Sequence, residues 1–212
     1  HGAPLGQQTP LQSGRYDRAQ CAWGCPLNSL LRHKRIALRP LSIKDARRYE
    51  AWINDDETNF WRGLYHPTTT AEAKLWIKEQ MHAAPDHMAV AIETESNGKP
   101  ATVGFMGLRG ICPRSRRAEL WIYLGDKTVW GKGLGQEAIT ALCRYGFVEM
   151  NLFRIWLETD PQHRSALRCY EKTGFIKEGT LRKAYYRRGK FRDTCIMGLL
   201  RPDFEKKERS RA

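Results

Sequence analysis

Val129-Trp130-Gly131-Lys132-Gly133-Leu134-Gly135-Gln136 lies between a strand-like run and a helix-like one. Glycines at three alternate positions let backbone N–H groups approach an anion without Cβ interference, and Lys132 adds a cation. A helix that follows such a turn points its unpaired amides and its positive dipole end at the same place. The stretch therefore reads as a phosphate cradle, although alone it also fits a surface loop before a helix. Two better-known phosphate loops are excluded by inspection. No Ser or Thr follows Lys132, as a Walker loop requires, and Gln136 stands where a dinucleotide fingerprint starting at Gly131 needs Gly or Ala.

Working outward, residues 118–124 form a strand-like run ending at Gly125, and residues 133–150 read as a helix. That helix carries an apolar stripe at Leu134, Ala138, Ala141, Leu142, Tyr145 and Val148. Beyond it, 154–159 reads as a strand and 161–173 as a helix closed by Gly174 as its C-cap. Strands over 175–182 and 191–200 flank a turn at Arg188-Gly189-Lys190. On the other side, residues 36–40 read as a first strand stopped by Pro40. Ser42 with Asp45 opens a helix to about Asn54, with Ile43, Ala46, Tyr49 and Ile53 on one face. Thr69 with Glu72 opens a second helix, to about His82. The aromatic segment between them, with Phe60, Trp61 and Tyr65, reads either as a substrate wall or as a hydrophobic plug. Strands over 88–94 and 102–108 are joined through Ser96-Asn97-Gly98-Lys99, a hairpin turn. The order β, α, α, β, β, β, α, β, α, β, β contains no internal repeat and predicts an α/β fold: a mixed sheet with helices on both faces.

With 212 residues and 41% hydrophobic content, one domain plus tails is expected. Residues 1–35, rich in Gly, Pro, Gln and Ser, read as a disordered or loosely attached extension, 36–200 as the domain, and 201–212 as a charged tail. No apolar run approaches the roughly 18 residues of a spanning helix, so a cytoplasmic protein with no membrane association is expected. Cys21, Cys25, Cys112, Cys143, Cys169 and Cys195 follow no metal-binding spacing and read as reduced thiols, with no metal site. The net charge of +13 suits a polyanionic ligand, or work near RNA or ribosomes.

The order of elements, with the cradle after the third long strand, resembles the GCN5-related N-acetyltransferase (GNAT) family. Two motifs carry the resemblance. The family's Gln/Arg-x-x-Gly-x-Gly/Ala pyrophosphate signature is met by Gly133-Leu134-Gly135, with Trp130 in place of the Gln or Arg. The more specific Asn-x-x-Ala-x-x-x-Tyr-x-Lys-x-Gly-Phe is met by Ala166, Tyr170, Lys172, Gly174 and Phe175, with His163 in place of the Asn. Glu178-Gly179, the pattern Gly189, Asp193, Met197, and Ala118-Glu119 look most like the RimJ/RimL subgroup of protein N-terminal acetyltransferases and the related spermidine acetyltransferases.

The resemblance implies acetyl-CoA as co-substrate and a primary amine as acceptor: a peptide N-terminus, a polyamine or an aminoglycoside-type small amine. A non-catalytic acetyl-CoA-binding module is the alternative outside enzymology, and either a monomer or a homodimer is compatible. It further implies that the pantetheine arm extends the sheet along the backbone near Ile122, Tyr123 and Leu124, with the pyrophosphate on the amides of Gly131, Lys132, Gly133, Leu134, Gly135 and Gln136. His163 can still give one hydrogen bond to the arm, and Trp130 removes one polar contact. Tyr170 occupies the family's general-acid position, protonating the departing CoA sulfur; the other reading is a core tyrosine on the stripe with Ala166. The attacking amine must be neutral, and Glu119 is the candidate base because its strand leads to the thioester; the other reading is a salt-bridged strand glutamate. Glu93 and Glu158 are further strand carboxylates. A polyamine would need an acidic pocket, which Asp55, Asp56 and Glu57 could form.

Overall fold

In the computed structural model, residues 31–61, 66–81, 85–96 and 98–210 are described. The extension before Leu31, with Cys21 and Cys25, lies outside them, as does Tyr65. The strands are β1 (Leu31–His33), β2 (Ile36–Pro40), β3 (Met88–Ser96), β4 (Lys99–Cys112), β5 (Arg117–Leu124), β6 (Arg154–Thr159), β7 (Ile176–Arg187) and β8 (Lys190–Leu200). The helices are α1 (Ala46–Ile53), α2 (Asp56–Phe60), α3 (Thr70–Met81), α4 (Leu134–Val148), α5 (Arg164–Thr173) and α6 (Arg201–Arg209). One mixed sheet runs β1-β2-β3-β4-β5-β6-β8-β7, with β5 and β6 its parallel neighbours among antiparallel ones.

The local signals act as expected. The Asp45 carboxylate accepts from Ser42 N at 2.8 Å, and Glu72 accepts from Thr69 N at 2.7 Å while its own N–H reaches Thr69 Oγ1 at 3.2 Å. These bonds satisfy amides that a helix start leaves without internal acceptors. Ser96 pairs with Lys99 across the tight turn, and Gly98 takes φ 71°. Gly174 ends α5 at φ 119°, while its N–H and that of Phe175 both donate to Tyr170 O at 3.0 Å.

Several boundaries differ. A strand already precedes Ile36, because Leu31–His33 pairs antiparallel with β2. α2 is an extra short helix, capped by Asp55, which accepts from the N–H groups of Glu57 and Thr58. Residues 201–209 form α6, anchored by buried Phe204 rather than trailing as a tail. α5 starts at Arg164, since Asp160 accepts from Gln162 N at 2.7 Å and shapes a turn ahead of it. Ile43 and Val148, expected on buried faces, are 40% and 58% exposed. α4 instead buries a wider arc that includes Ile139, Cys143 and Phe147.

The pleat sends alternate side chains to opposite faces of the sheet. Val90, Ile92, Met106, Leu108, Ala118 and Leu120 meet Leu134, Ala138, Leu142 and Phe147 of α4, Tyr170 of α5 and Phe204 of α6 on one face. Ala91, Phe105 and Tyr123 meet Tyr49 and Ile53 of α1 and Ala73 and Ile77 of α3 on the other. Each fully buried Val, Leu, Ile, Met or Phe side chain among these stabilises the fold by about 1.5–3 kcal/mol. A parting in the sheet positions the site. β5 and β6 are in register only from Arg117↔Arg154 to Glu119↔Trp156, yet β5 runs on to Leu124 and β6 to Thr159. Beyond Glu119 each strand, among the described residues, pairs in the sheet with its outer neighbour alone, β4 or β8, and a gap opens between them.

Candidate active site

The cradle heads α4, directly after the free end of β5. Gly131 and Gly133 take φ 73° and 82°, left-handed values that favour glycine, and a Cβ on Gly131 would meet nothing within 4 Å. Gly133 is the N-cap of α4 and supplies no side-chain cap. The amides of Leu134, Gly135 and Gln136 therefore begin a helix whose own geometry offers them no acceptor, and Lys132 is exposed beside them. This open, uncapped start fits a pyrophosphate. A Cβ on Gly135 would come within 3.1 Å of Leu124 Cδ1, so the bare glycine brings α4 close to the strand end. Trp130, where the resemblance predicted a lost polar contact, donates its indole N–H to Leu124 O at 3.0 Å and joins the cradle to β5. The unpaired edge of β5 at Ile122, Tyr123 and Leu124 faces the gap, and Trp130 already engages the last carbonyl.

α5 follows β6 across the gap. Tyr170 is 9% exposed and packs edge-on to Phe175, and burial pushes its phenol well above the ordinary range, so it keeps its proton. Ala166 packs against the first core cluster, while Lys172 is itself exposed in the last turn, between buried Tyr170 and Thr173. His163 is the N-cap of α5, with Nδ1 3.1 Å from Ser165 Oγ. Its ring stacks on Trp61, centroids 4.1 Å apart at 17°. Burial pushes its pKa down to about 4, against the pull of Asp160, so the imidazole is neutral near pH 7.

α2 lies between the two sides of the gap. At its start, Lys127, just after β5, pairs with Asp55 at 2.9 Å and Glu57 at 3.3 Å. At its end, Trp61 meets His163, just after β6. Phe60, Trp61, Asp56, Glu57 and Arg188 line an open cavity of about 320 Å³. Phe60 and Trp61 thus form one wall of a solvent-facing hollow. Glu119 sits at the last paired position before the strands part, on the same side of the pleat as Trp121 and Tyr123, and its carboxylate is ion-paired with Arg109 of β4. Glu93 is bound by Arg39 Nε at 2.6 Å.

Sequence reading missed a cationic cluster at the end of α2. The guanidinium carbons of Arg187, Arg188 and Arg192 lie 5.7, 5.0 and 5.9 Å from the centre of the Phe60 ring. Arg187 Nη2 donates to Trp61 O at 3.1 Å and so sets the wall. Asp160 accepts from Tyr185 Oη at 2.5 Å and lies 3.7 Å from Arg192. The basic run over 187–192 was the available signal, but a hairpin turn explained it locally. Missed also was Arg35, at the edge of the expected extension. Its Nη2 donates to Lys132 O at 2.8 Å and to Glu137 Oε1 at 2.6 Å, bracing the cradle from outside.

A split parallel pair, an uncapped glycine turn at the split and a buried, protonated tyrosine across it are the features that the resemblance to acyl-CoA N-acyltransferases leads one to expect. The acetyltransferase (GNAT) domain matches residues 35–176, and the chain belongs to that family. It is an acetyl-CoA-dependent acetyltransferase. Among its relatives, an uncharacterized N-acetyltransferase p20 of Bacillus licheniformis is 26% identical over 171 residues, 81% of this chain and 96% of that one. The spermidine N(1)-acetyltransferase of Escherichia coli K12 is 28% identical over 163 residues, 76% and 84% of the two chains. Similar folds include a spermidine N-acetyltransferase of Vibrio cholerae solved with CoA and spermine (TM-score 0.73, 22% identity, 81% and 98% covered). RimJ of Mycobacterium smegmatis, solved with CoA-disulfide, is another (TM-score 0.72, 16% identity, 83% and 88% covered).

Proposed function

We propose that the acceptor is an α-amine at a protein N-terminus, as the RimJ/RimL-like features of the sequence suggest. The observation that carries this reading is the charge state of the acceptor wall. Asp55 and Glu57 share Lys127, and Asp56 lies 3.5 Å from Arg188, so the three acids that would attract a polycation are partly offset by two cations already beside them. Three arginines around Phe60 make that end of the wall repel a polyamine. An α-amine, which titrates near roughly 8, also loses its proton more readily than a lysine-type amine near about 10.4.

Bound acetyl-CoA supplies an activated acetyl thioester. Gly131 to Gln136 with Lys132 hold its phosphates, the β5 edge at Ile122 to Leu124 holds its arm, and His163 with Ala166 borders the arm across the gap. Lys172, exposed in the last turn of α5, is the motif's remaining cofactor-binding residue. Tyr170 keeps a proton for the departing sulfur. Glu119, steadied by Arg109, receives the amine proton through water. Phe60 and Trp61 position the acceptor. A polyamine is the second reading, favoured by the relatives named as spermidine N(1)-acetyltransferases.

Release of CoA thiol with N-terminal peptides, spermidine and an aminoglycoside tests the choice. Peptides should give the highest kcat/KM, and a higher value for spermidine would overturn the α-amine. Tyr170→Phe should lower kcat by about 10²–10⁴ with acetyl-CoA affinity near normal. An unchanged kcat removes Tyr170 from proton transfer.

A further inference from the structure

Three guanidinium groups crowd one phenylalanine ring, and their counter-charges do not match them. Asp56, beside Arg188 at 3.5 Å, has a side chain 98% exposed, where solvent weakens the pairing. Asp160 is shared between the Tyr185 hydroxyl, the Gln162 amide and Arg192. Arg187 is only 8% exposed, yet its Nε and Nη1 are buried without hydrogen-bond partners among the described residues. Arg192 has its Nε in the same condition, although its Nη1 donates to Gln162 Oε1 at 2.6 Å. Stacking accounts for part of this, since Arg187 also lies 4.9 Å from the Tyr185 ring centre. Stacking leaves the donors unsatisfied, however, and a buried charged donor without an acceptor is costly. The cluster adjoins the acceptor hollow through Phe60, Trp61 and Arg188, which belong to both. It is built on α2 and the β7–β8 hairpin, whereas the glycine cradle is built on the start of α4.

We propose that this cluster is an oxyanion subsite for the acceptor, so that the preferred substrate is an α-amine with a carboxylate or phosphate close to it. A planar guanidinium fork matches either group in two-point contact, and a partly desolvated site strengthens that contact. The inference rests on the reading of α2 as the acceptor wall. It would make an acidic or phosphorylated residue following the N-terminal one the mark of a good substrate.

The test uses the whole protein with acetyl-CoA and three peptides that differ only at the second residue: aspartate, phosphoserine and asparagine. Spermidine is run beside them. An acidic peptide should exceed the asparagine peptide at least about tenfold in kcat/KM, chiefly through KM. Which acidic peptide leads tells carboxylate from phosphate. Arg187→Gln endangers folding because the side chain is buried, so the deciding variants are Arg188→Gln and Arg192→Gln. In each, the acid-to-amide ratio should fall toward one, and 0.5 M salt should reduce the ratio of the unaltered protein in the same direction. Equal use of all three peptides overturns the subsite and leaves the α-amine reading standing. Preference for spermidine over every peptide overturns both.

Discussion

Replacing Gly131 by alanine separates ligand binding from backbone strain, because the fold contains its own control. Gly131 has φ 73° and Gly98, in the β3–β4 turn, has φ 71°; a Cβ at either position meets nothing within 4 Å. Each alanine variant therefore bears the same left-handed strain, about 1–2 kcal/mol, and no clash. For a chain of this size that lowers Tm by roughly 2–8 °C in either variant. The open space at Gly131 is where the cradle would receive an anion, and a methyl group there pushes the phosphate off a backbone N–H. A hydrogen bond to a charged group is worth about 1.5–3 kcal/mol, so acetyl-CoA should bind roughly 10- to 150-fold more weakly to Gly131→Ala. Gly98→Ala should bind it normally. Calorimetric titration gives Kd and differential scanning gives Tm on the same samples. Equal Kd values in the two variants would show that the glycine turn does not hold the phosphates.

Stability should depend on His163 in a defined pH window. Its folded pKa is pushed down to about 4 from 6.5, so below pH 6.5 the unfolded chain takes up a proton that the folded chain refuses. Stability is fully present above about pH 6.5 and is lost as pH falls toward 4; the Tm–pH curve of His163→Gln should be flatter in that interval, and parallel curves would refute the burial argument. Gly125→Ala should cost about 1–3 kcal/mol, because the new Cβ would lie 2.0 Å from Trp52 Cδ2 and the indole, packed on Phe105 and Tyr123, must move. An unaltered Tm would mean that Trp52 can swing away freely.

Features encoded within a few residues were legible in the sequence. The Ser42–Asp45 and Thr69–Glu72 caps, the turn at Gly98 and the left-handed Gly174 each follow from backbone groups that only neighbouring residues can satisfy. The alternation along β3 to β5 was legible for the same reason. β1 was not, since three residues carry no period and pair only because β2 lies alongside. α2 was too short to announce itself apart from its Asp55 cap. The acids at 55–57 read as a free acidic patch, since Lys127 and Arg188 reach them from far along the chain. The arginine cluster has the same origin: residues 60–61, 160–163 and 187–192 meet only after β6, β7 and β8 are assembled. Charge in the sequence was visible as a total, whereas its placement is a property of the fold.

The indole bond from Trp130 to Leu124 bears on the thermodynamics of cofactor entry. A turn with three glycines has more conformational freedom to lose than any other segment of its length. With its entrance tied to a strand and its carbonyl at Lys132 held by Arg35, that freedom is surrendered when the chain folds, not when the ligand arrives. Association with acetyl-CoA then carries only a small ordering entropy, and the polar side chain absent from position 130 is replaced by preorganisation.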